Sequence, residues 1–490
     1  MRYIPTIGLE IHAELKTKTK MFCDSLNDPD EKHPNTNVCP ICMGHPGTLP
    51  VINGEALRKM MMVGLAMNCS IEHNTFFERK NYFYPDLPKG YQISQYQKPL
   101  CYDGHLEVNN KRIRIERIHL EEDAGRLYHL PDKDYTLVDY NRAGLPLMEL
   151  VTKPDLETAS DVTKFATELR MILRYLGASD ADMEKGQMRV EVNISLRPET
   201  QPEFGTKVEV KNINSITAAG KAVEYEVQRQ SKLLDSGEKI IQETRGWDDI
   251  HNKTVSQRVK EGSADYRYFP EPDLPPMSFT DTVIEEIRAG LPELPSHRRD
   301  RFKREYSLPD HDVEIFTANR SLGNYFERVA SELLSFDKLG HLERPGNEHK
   351  EKLFKLSSNY MITELARMAS DVSAEINDIK ITPENFADLV VRIFHGHISS
   401  SAAQTVLKEM FATGLSPESI IKEKDLAQVS DISELNTIVE NVIAGNKQAV
   451  ADYQKGKEAS LKFLIGKVIA ASKGKANPQV VTQLIKEKLS

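Results

Sequence analysis

Cysteine and tryptophan are scarce: five of the first and one of the second in 490 residues. So few cysteines make no disulfide framework, and the chain reads as a reduced protein held together by its cores. No run of 18 apolar residues occurs, so no conventional membrane helix is expected, and the first residues lack the apolar stretch of a signal peptide. The expected compartment is the cytoplasm, with no membrane partner. There is no G-x-x-x-x-G-K-[ST], no G-x-G-x-x-G after a strand and no H-E-x-x-H, which removes the two commonest phosphate cradles and the zinc-protease helix. A Ser-rich amidase stretch and a Cys/His nucleophile pair are also missing, as are internal repeats and low-complexity tracts.

What the sequence has instead is a set of short segments of period two, apolar on one side and ionisable on the other. Ile7-Gly8-Leu9-Glu10-Ile11-His12 is one. Residues 189–196, with Glu191 and Asn193 in the polar set, and residues 207–211, with Glu209 and Lys211, are others. Period two predicts half-buried strands. Ile113, Ile115, Ile118 and Leu120 alternate with a change of phase at Glu116-Arg117, which predicts a bulge, and the segment runs into Glu121-Glu122-Asp123. Singly, each polar face reads as the wet side of an antiparallel sheet. Together they concentrate Glu, His and Asn where water-facing strands usually carry Thr, Lys, Arg or Ser. Carboxylates and an imidazole on one concave surface repel unless a hard cation lies among them. Oxygen-rich ligation suits magnesium or manganese, with positions left for nucleotide phosphates. Lys80 and Lys211 are candidates to neutralise phosphate charge.

Residues 79–91 set Tyr82, Phe83, Tyr84 and Tyr91 among Arg79, Lys80, Asn81 and Lys89, with Pro85 and Pro88 interrupting any ladder or helix. A shaped loop presenting cations, donors and flat rings suits phosphate or nucleotide recognition; a rigid Pro-aromatic surface turn is the plainer reading. Cys39-x-x-Cys42 with Cys23 upstream offers three zinc ligands, with Asp24 or His45 to complete a tetrahedron. Ordinary reduced thiols at a turn are the alternative. Cys69 and Cys101 read as core or edge residues.

Net charge is −9 and unevenly spread. From Lys447 onward nine lysines face three acids (Asp452, Glu458, Glu487), a surplus of +6 that leaves −15 on the first 446 residues. A basic end on an acidic body can hold a polyanion, or it can be a solvated helix face. Proline-rich punctuation at 270–276 and 291–295 closes the strand-rich part. Inside it, Val162, Phe165, Leu169, Ile172, Leu173 and Leu176 form a helical stripe with Gly177 as the stop. Beyond residue 295 the pattern is helical, for example over 353–369 and over 386–394 after Thr382-Pro383-Glu384. A second helical unit begins near Ser399 and includes Phe463-Leu464-Ile465-Gly466-Lys467 and Gly474-Lys475-Ala476-Asn477-Pro478.

These segments resemble the B subunits of glutamyl/aspartyl-tRNA amidotransferases, nearly end to end. The resemblance is carried by Gly8-Leu9-Glu10-Ile11-His12, by Asn35-Thr36 with Cys39-Pro40-Ile41-Cys42-Met43-Gly44, and by residues 79–95. Leu120-Glu121-Glu122-Asp123-Ala124-Gly125, Asp139-Tyr140-Asn141-Arg142-Ala143-Gly144-Leu145-Pro146 and Glu209-Val210-Lys211-Asn212 continue it. Glu243-Thr244-Arg245-Gly246-Trp247-Asp248 and Asp265-Tyr266-Arg267-Tyr268-Phe269-Pro270-Glu271-Pro272-Asp273 complete it. It implies an α+β fold: a mostly antiparallel β cradle with flanking helices over 1–293, an all-α domain over 294–398 and an all-α, YqeY-like tRNA-binding tail over 399–490. The length leaves little room for the synthetase-like insertion of the archaeal E-type paralogue.

The same resemblance implies a glutamine-hydrolysing carbon–nitrogen ligase acting on misacylated Glu-tRNA(Gln), Asp-tRNA(Asn) or both. ATP with Mg2+ would convert the tRNA-bound carboxylate to an acyl phosphate, which ammonia from a glutaminase then attacks. The implied partners are the amidase (A) and small stabilising (C) subunits, forming a heterotrimer with tRNA as substrate. Glu10, His12 and Glu122 are the expected metal ligands, with Glu121, Glu149 and Glu209 in reserve. Lys80 and Lys211 are expected on the nucleotide phosphates, and Glu191, Asn193 and Asn212 on the substrate amino acid or ammonia. Two departures stand out: relatives that bind zinc carry Cys-x-Cys where this chain has Cys23-Asp24-Ser25, and Asn214-Ser215-Ile216-Thr217 replaces a frequent Asn-Ser-Phe-Arg. The rival reading is a non-catalytic RNA-docking scaffold, which accounts for the basic tail but not for the Glu/His faces. A self-contained metal-dependent nucleotidyl enzyme is a second.

Overall fold

The computed structural model describes residues 3–259, 266–335, 347–426, 432–472, 476 and 478–489. Of the residues quoted above, Asp265, Lys473, Gly474, Lys475 and Asn477 lie outside that set. The chain divides into two compact units, Met1–Pro295 and Ser296–Ser490.

A nine-stranded sheet organises the first unit. Across it run, in order, Lys253–Val259, Glu243–Asp248, Val208–Lys211, Met188–Pro198, Tyr3–Glu14, Pro146–Thr152, Lys111–Glu122, Cys101–Val108 and Ser70–Ile71. Neighbours are antiparallel except Val208–Lys211 with Glu243–Asp248, so the sheet is mixed by one parallel pair. The alternation has the expected consequence. Ile7, Leu9, Ile11, Leu120, Leu150, Val190, Val192, Val208 and Val210 are all buried in one core. The expected bulge is present, because Val151 faces Arg117 while Thr152 faces Ile115, leaving Glu116 over.

Helices Gly54–Ala66, Ala159–Tyr175 and Ile216–Asp235 contribute their apolar sides to that same core. Each begins at a side-chain cap, namely Asn53, Thr158 and Ser215, and Thr158 forms a capping box with Asp161. Gly177, at φ +60°, stops the second helix in the left-handed conformation that glycine adopts without strain. One side of the sheet is therefore closed by helices, which leaves the glutamates and histidines to the other.

A small three-stranded sheet joins Phe269–Pro270, Glu78–Asn81 and Tyr91–Ser94. Within residues 79–91 both ends are thus strand, and the loop proper lies between them. Arg79 clamps it: its guanidinium donates to both oxygens of buried Glu271, at 2.7 and 2.8 Å, and lies 4.3 Å from the centre of the Tyr91 ring.

The second unit is helical, as the sequence predicts. Asn347–Tyr360 continues through a π turn at Met361–Leu365 into Ala366–Asp371, and Pro383–Phe394 starts at its Thr382 cap. Buried side chains from Phe302 to Ile421 share one core, including Val391 before residue 399 and Ala402, Val406 and Met410 after it. A separate cluster runs from Leu435 to Ile485. Among the described residues, no helix is long and apolar enough to cross a membrane.

Candidate functional site

Strand register decides which polar side chains meet. His12 stands opposite Glu149, Glu149 opposite His119, Glu10 opposite Glu191 and Asn193 opposite Glu209. Because side chains alternate, this lays one polar band across five adjacent strands. At its centre His12 Nε2 lies 3.4 Å from Glu149, 3.7 Å from Glu121 and 4.0 Å from Glu10. On the far side His119 Nε2 lies 3.5 Å from the same Glu149 oxygen and 3.8 Å from Glu121. Among the described residues of the band, three groups of possible ligand atoms fall within 4.8 Å of one another: Glu10, His12 and Glu149; His119, Glu121 and Glu149; and Glu10, Glu191 and Glu209.

The charges are under tension. Burial raises the Glu10 carboxyl above its usual range, and Glu149 and Glu191 add to the rise. Burial opposes the charged form of His12, but the Glu149 hydrogen bond and the Glu149 and Glu121 carboxylates outweigh it and lift the imidazole to about 9. Burial likewise opposes Glu149 and Glu121 as anions; the His119 and His12 imidazoles and Lys80 draw both below the usual carboxylate range.

Burial opposes the charged form of Lys80, but Glu121, Tyr268 and Glu149 outweigh it, and its ammonium lies 5.2 Å from the centre of the Tyr266 ring. Lys211 Nζ reaches Glu191 at 2.7 Å and Glu209 at 3.2 Å. Asn193 Oδ1 is buried and accepts no hydrogen bond from the described residues. Asn212 adopts φ +58° and donates to the Trp247 carbonyl at 3.2 Å.

Glu122 is elsewhere. It follows Glu121 in a strand, so it points to the opposite side, where Lys89 binds its carboxylate and the Ile93 amide donates to it at 2.9 Å. Of the ligand set expected from the sequence, the structure brings Glu10 and His12 together, with Glu149 and Glu121 rather than Glu122. His119 was not expected there, although the signal exists. Once the bulge resets the phase, Arg117, His119 and Glu121 share a face. Arg189 is a second unexpected member. It stands opposite His12 and donates to Asp123 at 3.0 Å, where Arg142 lies 3.5 Å away.

Cys23, Cys39 and Cys42 do converge, with the Cys39 and Cys42 sulfurs 3.9 Å apart. The Cys39 backbone amide donates to the Cys42 sulfur at 3.1 Å, Lys20 Nζ lies 3.8 Å and Ser25 Oγ 3.9 Å from it, while Asp24 and His45 are exposed. Lys20 is fully buried and also donates to the Tyr140 carbonyl at 3.2 Å. A hydrogen bond from Cys23 and the Lys20 ammonium pull the Cys42 thiol down to about 4 against burial. Cys69 and Cys101 are both buried in the sheet core.

A sheet-borne cluster of carboxylates and imidazoles, with Lys211 paired at one end of it, has donors of the kind that could hold a hard cation. The comparisons agree on a class. The family described as the GatB/GatE catalytic domain matches residues 5–285, and the GatB domain matches residues 347–489. Curated relatives include the B subunit of the aspartyl/glutamyl-tRNA(Asn/Gln) amidotransferase of Thermoanaerobacter pseudethanolicus, 46% identical over 494 residues and covering 100% of both chains. The subunits of the same name from Caldicellulosiruptor bescii and Dehalococcoides mccartyi are 45% and 46% identical, over 100% of this chain and 99% of each relative. The chain belongs to this amidotransferase B-subunit family.

Proposed function

We propose that this chain is the part of an ATP-dependent tRNA amidotransferase that activates and amidates the tRNA-bound side chain of Glu, Asp or both. The observation that carries the reading is the band in which Glu10, His12 and Glu149 converge, next to the overlapping group of His119, Glu121 and Glu149. These oxygen and imidazole donors fit Mg2+ or Mn2+, and a cation between the carboxylates would relieve both the burial and the Glu149 and Glu191 repulsion that lift Glu10. A divalent ion there would neutralise and orient the phosphates of ATP.

Lys80 and Lys211 complement the phosphates. The substrate carboxylate attacks the γ-phosphorus in line, the bond to the β-phosphate oxygen breaks, and ADP leaves. Ammonia then attacks the activated carbonyl carbon, inorganic phosphate departs, and the surplus ammonia proton passes to a nearby carboxylate or water. Glu191 and Asn193 lie on the strand next to Glu10, and Asn212 follows Lys211 and bonds the Trp247 carbonyl; the three are candidates to orient the amino acid or ammonia. Ammonia must come unprotonated, so a glutaminase and a small companion protein are the expected partners, in the cytoplasm. The basic helical end is assigned to the tRNA, and the division near 293 and 399 remains part of this reading.

Zinc fits less well. Three sulfurs are in place, but beside Cys42 the fourth direction holds an ammonium, which has no lone pair to offer while charged. Lys20 serves there as the counter-charge.

The test is an assay with the partner proteins, ATP, magnesium, glutamine and each misacylated tRNA, trapping acyl phosphate as the hydroxamate. Hydroxamate from wild type and none from Glu10→Gln supports the assignment. Normal amidation by Glu10→Gln and His12→Ala moves catalysis off this chain and favours the docking-scaffold reading.

A further inference from the structure

The metal and phosphate roles leave unused a group of tyrosines beside the carboxylate–imidazole band. Tyr266 and Tyr268 arrive from the far end of the unit. The Asn81 amide donates to the Tyr266 carbonyl at 2.9 Å, the Asn81 side chain donates to the Arg267 carbonyl at 2.9 Å, and Phe269 pairs with Arg79. Tyr266 thereby lies 5.2 Å from Lys80 Nζ and meets Tyr82 and Tyr268 edge to face. Tyr268 in turn lies flat against Tyr96, with ring centres 4.5 Å apart and planes 12° from parallel.

The support beneath Tyr96 is rigid. Its backbone amide donates at 2.8 Å to Glu78, a carboxylate with no exposed surface. Tyr268 is joined to the lysine side through Tyr266, whose ring centre lies 6.2 Å from that of Tyr268 and 5.2 Å from Lys80 Nζ. Yet Tyr96 is 56% exposed. A coplanar pair with its inner ring half-buried beside a phosphate-binding lysine and its outer ring in water has the form of a base-stacking platform. Such platforms recognise any base through its π face.

We propose that Tyr96, backed by Tyr268, stacks on an adenine ring whose phosphates extend toward Lys80. This rests on the reaction proposed above, which offers two sources of adenine: ATP, and the 3′-terminal adenosine of the charged tRNA.

The test measures binding to the full-length chain in magnesium of ATP, inorganic tripolyphosphate, charged tRNA, and uncharged tRNA with or without the terminal adenosine whose ribose would carry the amino acid. The variants are Tyr96→Ala and Tyr96→Phe. Tyr96 is exposed and anchored through its backbone, so both should fold. Losing one stack weakens the base-bearing ligand about 5- to 100-fold. Tripolyphosphate, which has no base, binds unchanged, and Tyr96→Phe restores wild-type affinity. An effect confined to ATP identifies its adenine; one confined to tRNA, and lost without the terminal adenosine, identifies the RNA end. Equal loss for ATP and tripolyphosphate overturns the proposal, since the ring would then only shape the site. Unchanged affinity for both base-bearing ligands overturns it as well. A wild-type chain that binds neither ATP nor charged tRNA overturns the functional reading and the platform with it.

Discussion

Glu10 and Ile11 are neighbours in one strand and do opposite work. Ile11 has no exposed surface and packs in the core beneath the helices; Glu10 looks the other way, where burial and the Glu149 and Glu191 carboxylates raise its carboxyl. The two faces of the sheet are built by different rules. The helix-covered face gains stability from every side chain it buries. The polar face gathers groups that repel in the absence of a ligand, and so spends stability on readiness for one. In such a sheet activity and stability should be separable at adjacent residues.

The sharpest way to break that contrast is Glu10→Gln, which keeps the shape and removes one repelled charge. Hydroxamate formation should fall about 100- to 1,000-fold, the scale of removing one electrostatic interaction from a transition state. The thermal midpoint should hold or rise. A variant that keeps its rate, or unfolds, contradicts the division of labour. Next in size is Ile11→Ala, which should cost about 2–5 kcal/mol by urea unfolding while folded enzyme stays active. Loss of activity without loss of stability would show that the two faces are coupled.

Truncation of the tail comes third. A cut at Ser399 would strip Ala402, Val406, Met410 and Ile420 from the core they share with Phe302–Val391 side chains, so the informative cut follows Leu426. The shortened chain should bind tRNA more weakly, with a salt slope lower by roughly one for each phosphate no longer held, and leave glutaminase activity in the partner untouched. Identical slopes would reduce the lysines to a solvated face.

The smallest effect concerns the helix side. Asp161, in the Thr158 capping box, accepts from Asn109 at 2.8 Å; despite burial, that bond and the Thr158 hydrogen bond hold its carboxyl below the usual value. Asp161→Ala should cost about 1 kcal/mol at pH 7. A carboxyl held low in the fold stabilises above its unfolded value and loses that effect as pH falls through its folded one. The difference from wild type should therefore fade below about pH 3.8. A difference that stays constant down to pH 2 would assign the effect to packing instead.

Periodicity made the strands and their polar faces readable, because alternation is local. It did not reveal which glutamate meets which histidine. Glu121 and Glu122 are equivalent in composition, and register between residues 12 and 149 is set by pairing across the whole unit. The phase change at Glu116 held enough information to place His119 with Glu121, once its consequence was followed two residues on. The approach of Lys20 to Cys42 had no comparable signal. A buried lysine beside a cysteine sulfur is a tertiary arrangement, and a lysine in the sequence more often predicts a wet surface. The Tyr96–Tyr268 stack was hidden for the same reason: the two rings are adjacent in space only because a two-residue strand pairs with Arg79 and Glu78.

The central position of Tyr3–Glu14 has a consequence for how the chain is made. Its two partners are Pro146–Thr152 and Met188–Pro198, so the strand must wait for both. At about 5–20 residues per second, translation takes roughly ten to forty seconds to supply the second one. Until residue 152 is made the strand has two open edges, and until residue 198 it still has one beside its apolar side, which is an aggregation-prone condition for a strand. Ribosome-bound chains that stop before residue 188 should therefore depend on chaperones far more than chains that stop after residue 198.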